Sequence, residues 1–287
     1  MADRSSIEWT QATWNPTTGC DRTSAGCDNC YALTLAKRLK AMGNPKYQED
    51  GSPRTSGPGF GLTLHEDQLQ LPHRWARPRV VFVNSMSDLF HPSVPDEFLE
   101  EVFTVMAGTP RHTYQVLTKR SSRLMTWGKQ RRWPENVWMG VSVESDRYTF
   151  RVDHLRQVPA AVRFISAEPL LGPLPSLDLE GIDWLIAGGE SGHHARPVHP
   201  TWVLDLRERC LELGTAFFFK QWGNWAPTEG SDVSVTVDGE LVRDPEVVGV
   251  PGAPVPVRRL ARAAAGRMLD GRTWDQMPTA TSRMEVR

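Results

Sequence analysis

The sequence predicts an α/β fold, a complete or partial (β/α) barrel, and three observations carry that expectation. Six short runs, at 79–85, 114–119, 137–144, 163–168, 183–190 and 216–221, are nearly continuous in apolar character rather than alternating. Parallel strands that are covered by helices on one face and packed inside on the other read this way. Helical patterns fall between the runs, which is the α/β signature. The runs also end alike: Asn84-Ser85, Thr118-Lys119, Ser142-x-Glu144, Ser166-x-Glu168, Gly188-Gly189-Glu190 and Lys220-Gln221 put polar or charged side chains where an apolar strand finishes. In a parallel (β/α) arrangement such ends share the C-terminal face, where barrel enzymes carry their active sites. A doubly wound open sheet is the competing arrangement.

In chain order, a further strand fits near 7–14, and helices are expected at 31–42, 95–107, 121–129, 146–157 and 200–213. The first helix places Ala32, Leu35, Ala36 and Leu39 on one face. The second opens on Ser93-x-x-Asp96 as its cap and buries Leu99, Val102, Phe103 and Met106. In the last, Val203, Leu206, Cys210 and Leu213 form an apolar stripe, which makes Cys210 a core residue. The Gly-, Pro- and Ser-rich 44–61 reads as a long loop or flap. Residues 228–256 hold the turn dipeptide Asp238-Gly239 and end in Pro251, Pro254 and Pro256, so they read as a hairpin insertion and linker. The expected organisation is a (β/α) barrel over 1–227, the insertion over 228–256, and a helical segment over 257–287 packing on the barrel.

No apolar run approaches the roughly 20 residues of a membrane span, and the acidic, polar N-terminus lacks the apolar stretch of a secretory signal. A soluble, cytoplasmic protein is expected. The formal charge of -1 excludes a polycation built for nonspecific nucleic-acid binding, so any such surface is local. One stretch qualifies. From Val102 to Pro134 there is no acidic residue, while Arg111, Lys119, Arg120, Arg123, Lys129, Arg131 and Arg132 are interleaved with His112, Trp127 and Trp133. Exposed aromatics among cations could track a phosphate backbone and stack a base; a solvated helix face reads the same way.

The most informative segment runs from Trp14 to Ala32, with Cys20, Cys27 and Cys30 spaced C-x6-C-x2-C ahead of the helix that begins at Tyr31. Three thiolates on a loop held by Gly19 and Gly26 can converge on one soft metal, and Arg22 with the helix N-terminus would favour their ionised form. No fourth cysteine or histidine follows at finger spacing. A structural zinc site is normally closed by four protein ligands, so three leave one coordination position open for a substrate or cofactor. The alternative is zinc completed by His65, His91 or His199, or by a carboxylate. A further alternative is a hydrolase with Glu144, Glu168 and Glu190 around a divalent metal.

Three cysteines in a loop after the first strand of a (β/α) fold, ending in CxxC-Tyr, resemble the cluster loop of radical S-adenosylmethionine enzymes. More closely, WNPxxGC, GCDNCYA, VFVNSMSDLF, LTKR, GVSVE, SAEPLLGP, AGGESG, FFFKQWG and GRxLDGRTWDxMP resemble a phage-type three-cysteine-motif family of unknown function, itself radical-SAM-like and also encoded in bacteria. The resemblance spans nearly the whole chain. Two features depart from the superfamily pattern: the first spacing is x6 rather than x3, and Asn29 stands where an aromatic residue is usual.

This resemblance implies a barrel of the radical SAM type and a 4Fe-4S cluster on Cys20, Cys27 and Cys30, with S-adenosylmethionine on the open iron. It also implies cofactor contacts from Tyr31, Asn84, Ser85 and Asp88, with Asp88 taking the ammonium. Lys119, as a catalytic residue, and Ser142, Glu144 and Glu168 are left for ribose, carboxylate or substrate. LTKR and the strand ends are loosely similar to the photolesion-repairing branch of these enzymes, whose target is DNA. The implied activity is modification or repair of a nucleic acid or nucleotide, with a partner protein as one source of specificity. A zinc-stabilised nucleic-acid-binding or scaffold protein is the alternative.

Overall fold

The computed structural model describes residues 5, 7–243 and 253–278. The first half of the chain forms β1 (Ala12–Trp14), β2 (Thr17–Thr18), α1 (Tyr31–Ala41), β3 (Thr63–Leu64), α2 (Glu66–Leu69), β4 (Val80–Val83), α3 (Asp96–Ala107), β5 (Thr113–Thr118), α4 (Ser121–Gly128) and β6 (Val137–Ser142). It continues with α5 (Phe150–Arg156), β7 (Arg163–Ala167), β8 (Trp184–Gly188), α6 (Pro200–Leu213), β9 (Ala216–Gln221), β10 (Trp225–Pro227), β11 (Val233–Val235), β12 (Leu241–Arg243), β13 (Val255–Arg259) and α7 (Arg262–Ala265). The order β1-β4-β5-β6-β7-β8-β9 makes one seven-stranded sheet, parallel along β1-β4-β5-β6 and at β8-β9. Among the described residues β1 and β9 are its two end strands, so the partial arrangement is what is seen and a complete barrel is not shown.

The described chain divides into two compact units, one taking residues up to Ser142 with Arg151–Phe164, the other Val143–Phe150 with residues from Ile165 onward. In the first, Val81, Val83, Tyr114, Val116, Val137 and Met139 are wholly buried on their strands. Onto them α3 turns Phe98, Leu99, Val102, Phe103, Val105 and Met106. Each large apolar side chain removed from water contributes roughly 1.5–3 kcal/mol, and that burial, not capping, holds α3. Its N-cap is Pro95 and makes no side-chain hydrogen bond, so the expected Ser93-x-x-Asp96 cap is not formed. Asp96 instead accepts from Arg123 Nη2 at 2.7 Å. On α1 only Ala32 and Ala36 of the expected face are fully buried, and Leu35 is exposed.

In the second unit every residue of β8 is buried, and β9 packs Phe217, Phe218 and Phe219 inside. Cys210 is buried on α6 with Val203 and Leu206, whereas Leu213 is exposed. The expected hairpin is β11–β12, paired antiparallel across the Asp238-Gly239 turn, within a second sheet of order β10-β13-β11-β12. Pro256 lies in β13, and Pro251 lies outside the described residues. Of the expected 257–287 helical segment the described residues contain α7, after which residues up to 278 run extended along β9, and 279–287 lie outside the described residues. Phe219 N donates to Trp274 O at 2.9 Å, Gln276 N to Phe217 O at 3.2 Å, and Phe217 N to Gln276 Oε1 at 2.8 Å. The 146–157 helix splits into a single 3-10 turn at Asp146–Tyr148 and α5.

Candidate metal centre

The cysteine loop leaves β1 and is held by backbone on both sides. Gly19 N donates to Met86 O at 3.0 Å, and Ser87 Oγ donates to Gly19 O at 2.6 Å. Gly19 sits at φ +86°, and a Cβ there would overlap the Gly61 carbonyl and lie 2.7 Å from Leu62 N. Only glycine combines that conformation with that approach. Gly26 lies inside the 3-10 turn Ala25–Cys27. The 44–61 flap is the loop's clasp: Cys20 N donates to Phe60 O, Arg22 N to Thr55 O, and Ser56 Oγ to Asp21 Oδ1 at 2.9 Å. Cys20 and Cys30 pack against Ala32, Ala36, Tyr47, Phe60 and Met86.

Each thiol meets a different environment. Burial pushes Cys20 up to about 12, the Asp88 carboxylate adding to the shift and Arg120 opposing it. Burial also raises Cys27, but the Lys119 charge and hydrogen bonds at Thr23 and Ser24 outweigh it and leave Cys27 below its ordinary value. Cys30 is the N-cap of α1; burial raises it against the opposing amides of Ala32 and Leu33. Cys27 acts electrostatically on both other thiols, so the three share one neighbourhood. Arg22, expected to favour their ionisation, is instead paired with Asp28 at the surface. Lys119 and Arg120 supply the positive charge.

The segment that carries those two cations is anchored by Asp88, which is 6% exposed. Its Oδ1 accepts from Thr118 Oγ1 at 2.7 Å and Phe90 N at 3.0 Å; its Oδ2 accepts from Lys119 N at 3.1 Å and Arg120 Nη1 at 3.0 Å. A carboxylate offers about four acceptor positions, and internal donors fill them. Asp88 therefore organises the loop after β5, where an ammonium contact was expected. Arg120, buried in turn, donates through Nη1 to Cys20 Sγ at 3.4 Å and through Nη2 to Asp21 O at 2.9 Å. Asn84, at φ 61°, is similarly inward: its amide donates to Thr17 Oγ1 at 2.8 Å and its Oδ1 accepts from Thr17 N. Ser85 Oγ donates to Asn15 Oδ1, and its carbonyl accepts from the exposed Tyr31 hydroxyl.

Among the described residues no three His, Cys, Asp or Glu side chains stand in metal-binding geometry. The donor chemistry nonetheless fits a soft, anionic metal group: three thiols, with Cys27 acting on the other two, flanked by a guanidinium, an ammonium and helix-start amides. The histidines expected to complete a zinc site have other hydrogen-bond partners, one of them on the cysteine loop. His65 Nε2 bonds Thr18 Oγ1 at 2.8 Å, and His199 Nδ1 accepts from Thr201 N at 3.3 Å at the start of α6. His91 Nδ1 accepts from Ser93 N, and its Nε2 faces Asp21 Oδ2 at 3.0 Å.

Residues 4–278 match the family described as Protein of unknown function (DUF5131). The chain belongs to that family. No curated protein matches it. Among solved structures it is similar to spore photoproduct lyase complexed with dinucleoside spore photoproduct, with a TM-score of 0.37 and 14% identity over 60% of this chain. A point mutant of spore photoproduct lyase gives a TM-score of 0.39 at the same identity and coverage. The DUF5131 chain spans 54% of each of those chains.

Ser142, buried in the first unit, accepts at its carbonyl from Arg151 Nη1 at 2.8 Å. In the second unit Glu144 is fully buried, Glu168 is paired with Lys220 Nζ at 3.1 Å, and Glu190 is gripped by Arg196 through Nε at 2.9 Å and Nη2 at 2.6 Å. Glu168 and Glu190 thus already have cationic partners, and the expected three-carboxylate metal site is not assembled. The basic stretch of this DUF5131 chain also differs from expectation. Trp127 and Trp133 are buried against Phe103 and one another. Arg111 donates to the carbonyls of Pro72, His73 and Trp75, and Arg131 is paired with Glu100. Lys129 and Arg132 stay exposed. The clasp at Thr55 and Ser56 and the role of Arg120 have no local signature in the sequence. Asp88 and Arg120 follow neighbouring parallel strands, and that complementarity was the available signal.

Among the described residues no helix is long and apolar enough to cross a membrane.

Proposed function

We propose that the chain is a radical S-adenosylmethionine-like iron–sulfur enzyme that modifies or repairs a nucleic acid or nucleotide. The observation that supports it best is the gathering of Cys20, Cys27 and Cys30 in one electrostatic neighbourhood, with Arg120 on Cys20 Sγ and Lys119 acting on Cys27 and Cys30. These three cysteines would hold a 4Fe-4S cluster, which would supply the electron that cleaves S-adenosylmethionine. The chain's own residues shape the surroundings. The flap clasps the loop, Asp88 and Asn84 hold the ends of β4 and β5, and Lys119 projects a cation toward the thiols. Tyr31, exposed beside the loop, is the side chain proposed to meet cofactor or substrate. The nucleic-acid assignment follows from the resemblance to radical enzymes that act on DNA, with Lys129 and Arg132 as the exposed cations of the basic stretch.

Anaerobic reconstitution with iron and sulfide tests this reading. The wild-type chain should take up iron, sulfide and a visible chromophore, and on reduction convert S-adenosylmethionine to 5'-deoxyadenosine. Cys20→Ala, Cys27→Ala and Cys30→Ala should each lose the chromophore, while Cys210→Ala keeps it. A colourless protein carrying stoichiometric zinc would replace this reading with the structural one.

A further inference from the structure

The tripeptide Thr118–Arg120, at the end of β5, is wrapped around one carboxylate. Thr118 Oγ1 donates to Asp88 and accepts from Arg120 N at 2.9 Å, and Lys119 N and Arg120 Nη1 both donate to Asp88 Oδ2. Arg120 is thereby left a single direction, with its guanidinium shared among Asp88, the Asp21 carbonyl and Cys20 Sγ. The Arg120 and Asp88 side chains are 10% and 8% exposed, so this pair is little screened by solvent. A buried guanidinium is costly unless its donors are used. Here the guanidinium donates to acceptors on the cysteine loop and to its own anchor, and one of those acceptors is a sulfur.

We infer that Arg120, anchored by Asp88, is a positioning residue that fixes Cys20 as a ligand and sets the reduction potential of the group the three cysteines hold. The inference rests on the cluster reading above and extends it to residues outside the cysteine motif. Hydrogen bonds to the sulfurs and local charge are what the protein uses to tune such potentials. A donor and positive charge on Cys20 Sγ favour the reduced, more negative state. Removing them makes the centre harder to reduce. Lysine keeps the charge but cannot reproduce the planar fork that reaches Asp88, Asp21 and Cys20 together.

The test is a dye-mediated dithionite titration of the reconstituted full chain, followed by its visible spectrum, for wild type, Arg120→Gln, Arg120→Lys and Arg22→Gln. Arg22 carries the same charge within the cysteine loop itself but is bound to Asp28 at the surface. Arg120→Gln should lower the reduced-to-oxidised ratio at fixed potential by roughly tenfold, about 59 mV for one electron. Arg120→Lys should recover part of that shift and keeps the test open should the glutamine variant fail to fold. Arg22→Gln should leave the potential unmoved. Equal potentials in wild type and both Arg120 variants, each with full iron and sulfide, would overturn the inference and leave the cluster reading standing. An equal shift in Arg22→Gln would also overturn it, by making the effect one of net charge alone. A wild-type chain that takes up no iron and sulfide overturns both.

Discussion

Replacing Gly19 by alanine isolates the clasp on the cysteine loop. Two penalties are expected. An L side chain at φ +86° costs about 1–2 kcal/mol. The new methyl would also occupy the Gly61 carbonyl, which is backbone and cannot turn aside, so the flap must shift; forced displacements of this kind cost about 1–3 kcal/mol. Gly57→Ala is the matched control, because Gly57 lies in the same flap at φ +80° with nothing within 4 Å of where a Cβ would stand. It carries the first penalty alone. Taking about 1 kcal/mol for strain and about 2 kcal/mol for the clash, Gly19→Ala should lose about 3 kcal/mol and Gly57→Ala about 1. For a domain of this size, 1 kcal/mol moves the melting temperature by about 2–4 °C. The thermal melt followed by circular dichroism should therefore fall by about 6–12 °C in Gly19→Ala and about 2–4 °C in Gly57→Ala. Coincident melting of the two variants would show that the Gly61 approach carries no energy, and the account of the loop as clasped by the flap would be wrong.

Two further outcomes follow from the buried polar groups. Lys220→Met and Glu168→Gln should each destabilise the second unit by about 3 kcal/mol by stranding a partner, whereas the double variant should cost clearly less than their sum; a strictly additive cycle measured by urea denaturation would show that the 3.1 Å pair is incidental. Burial holds the imidazoles of His65, His112 and His199 below their ordinary value of 6.5. The unfolded chain then binds protons first as pH falls below 6.5, so stability rises with pH through that window and is lost on acidification. Melting at pH 5.5 should come below melting at pH 7.5, and the reverse order would mean that these rings are charged in the folded chain.

The strands and most helices were legible because burial on both faces leaves a continuous apolar run, and Val81, Val83, Met139 and the whole of β8 are buried as that pattern requires. The cysteine motif was legible for a different reason, since three thiols within 11 residues are close whatever the fold. Local patterns failed where long-range contacts decide. Trp127 and Trp133 sit among arginines in sequence, yet their rings pack into a core with Phe103. Leu35 and Leu213 hold the right helical phase and face solvent.

By itself, then, the amino-acid order determined the α/β class, the hairpin at Asp238-Gly239 and the identity of the three thiols, all properties of residues near one another in the chain. Tertiary structure alone decided the order of the sheet's strands, that Gly61 presses on Gly19, and that Asp88 turns Arg120 onto Cys20. These depend on groups 42, 32 and 100 positions apart, as with Gly19 against Gly61, Asp88 against Arg120 and Arg120 against Cys20. A hydrogen bond or steric contact between such groups exists only once the chain has closed around its core, so no local period or spacing encodes it.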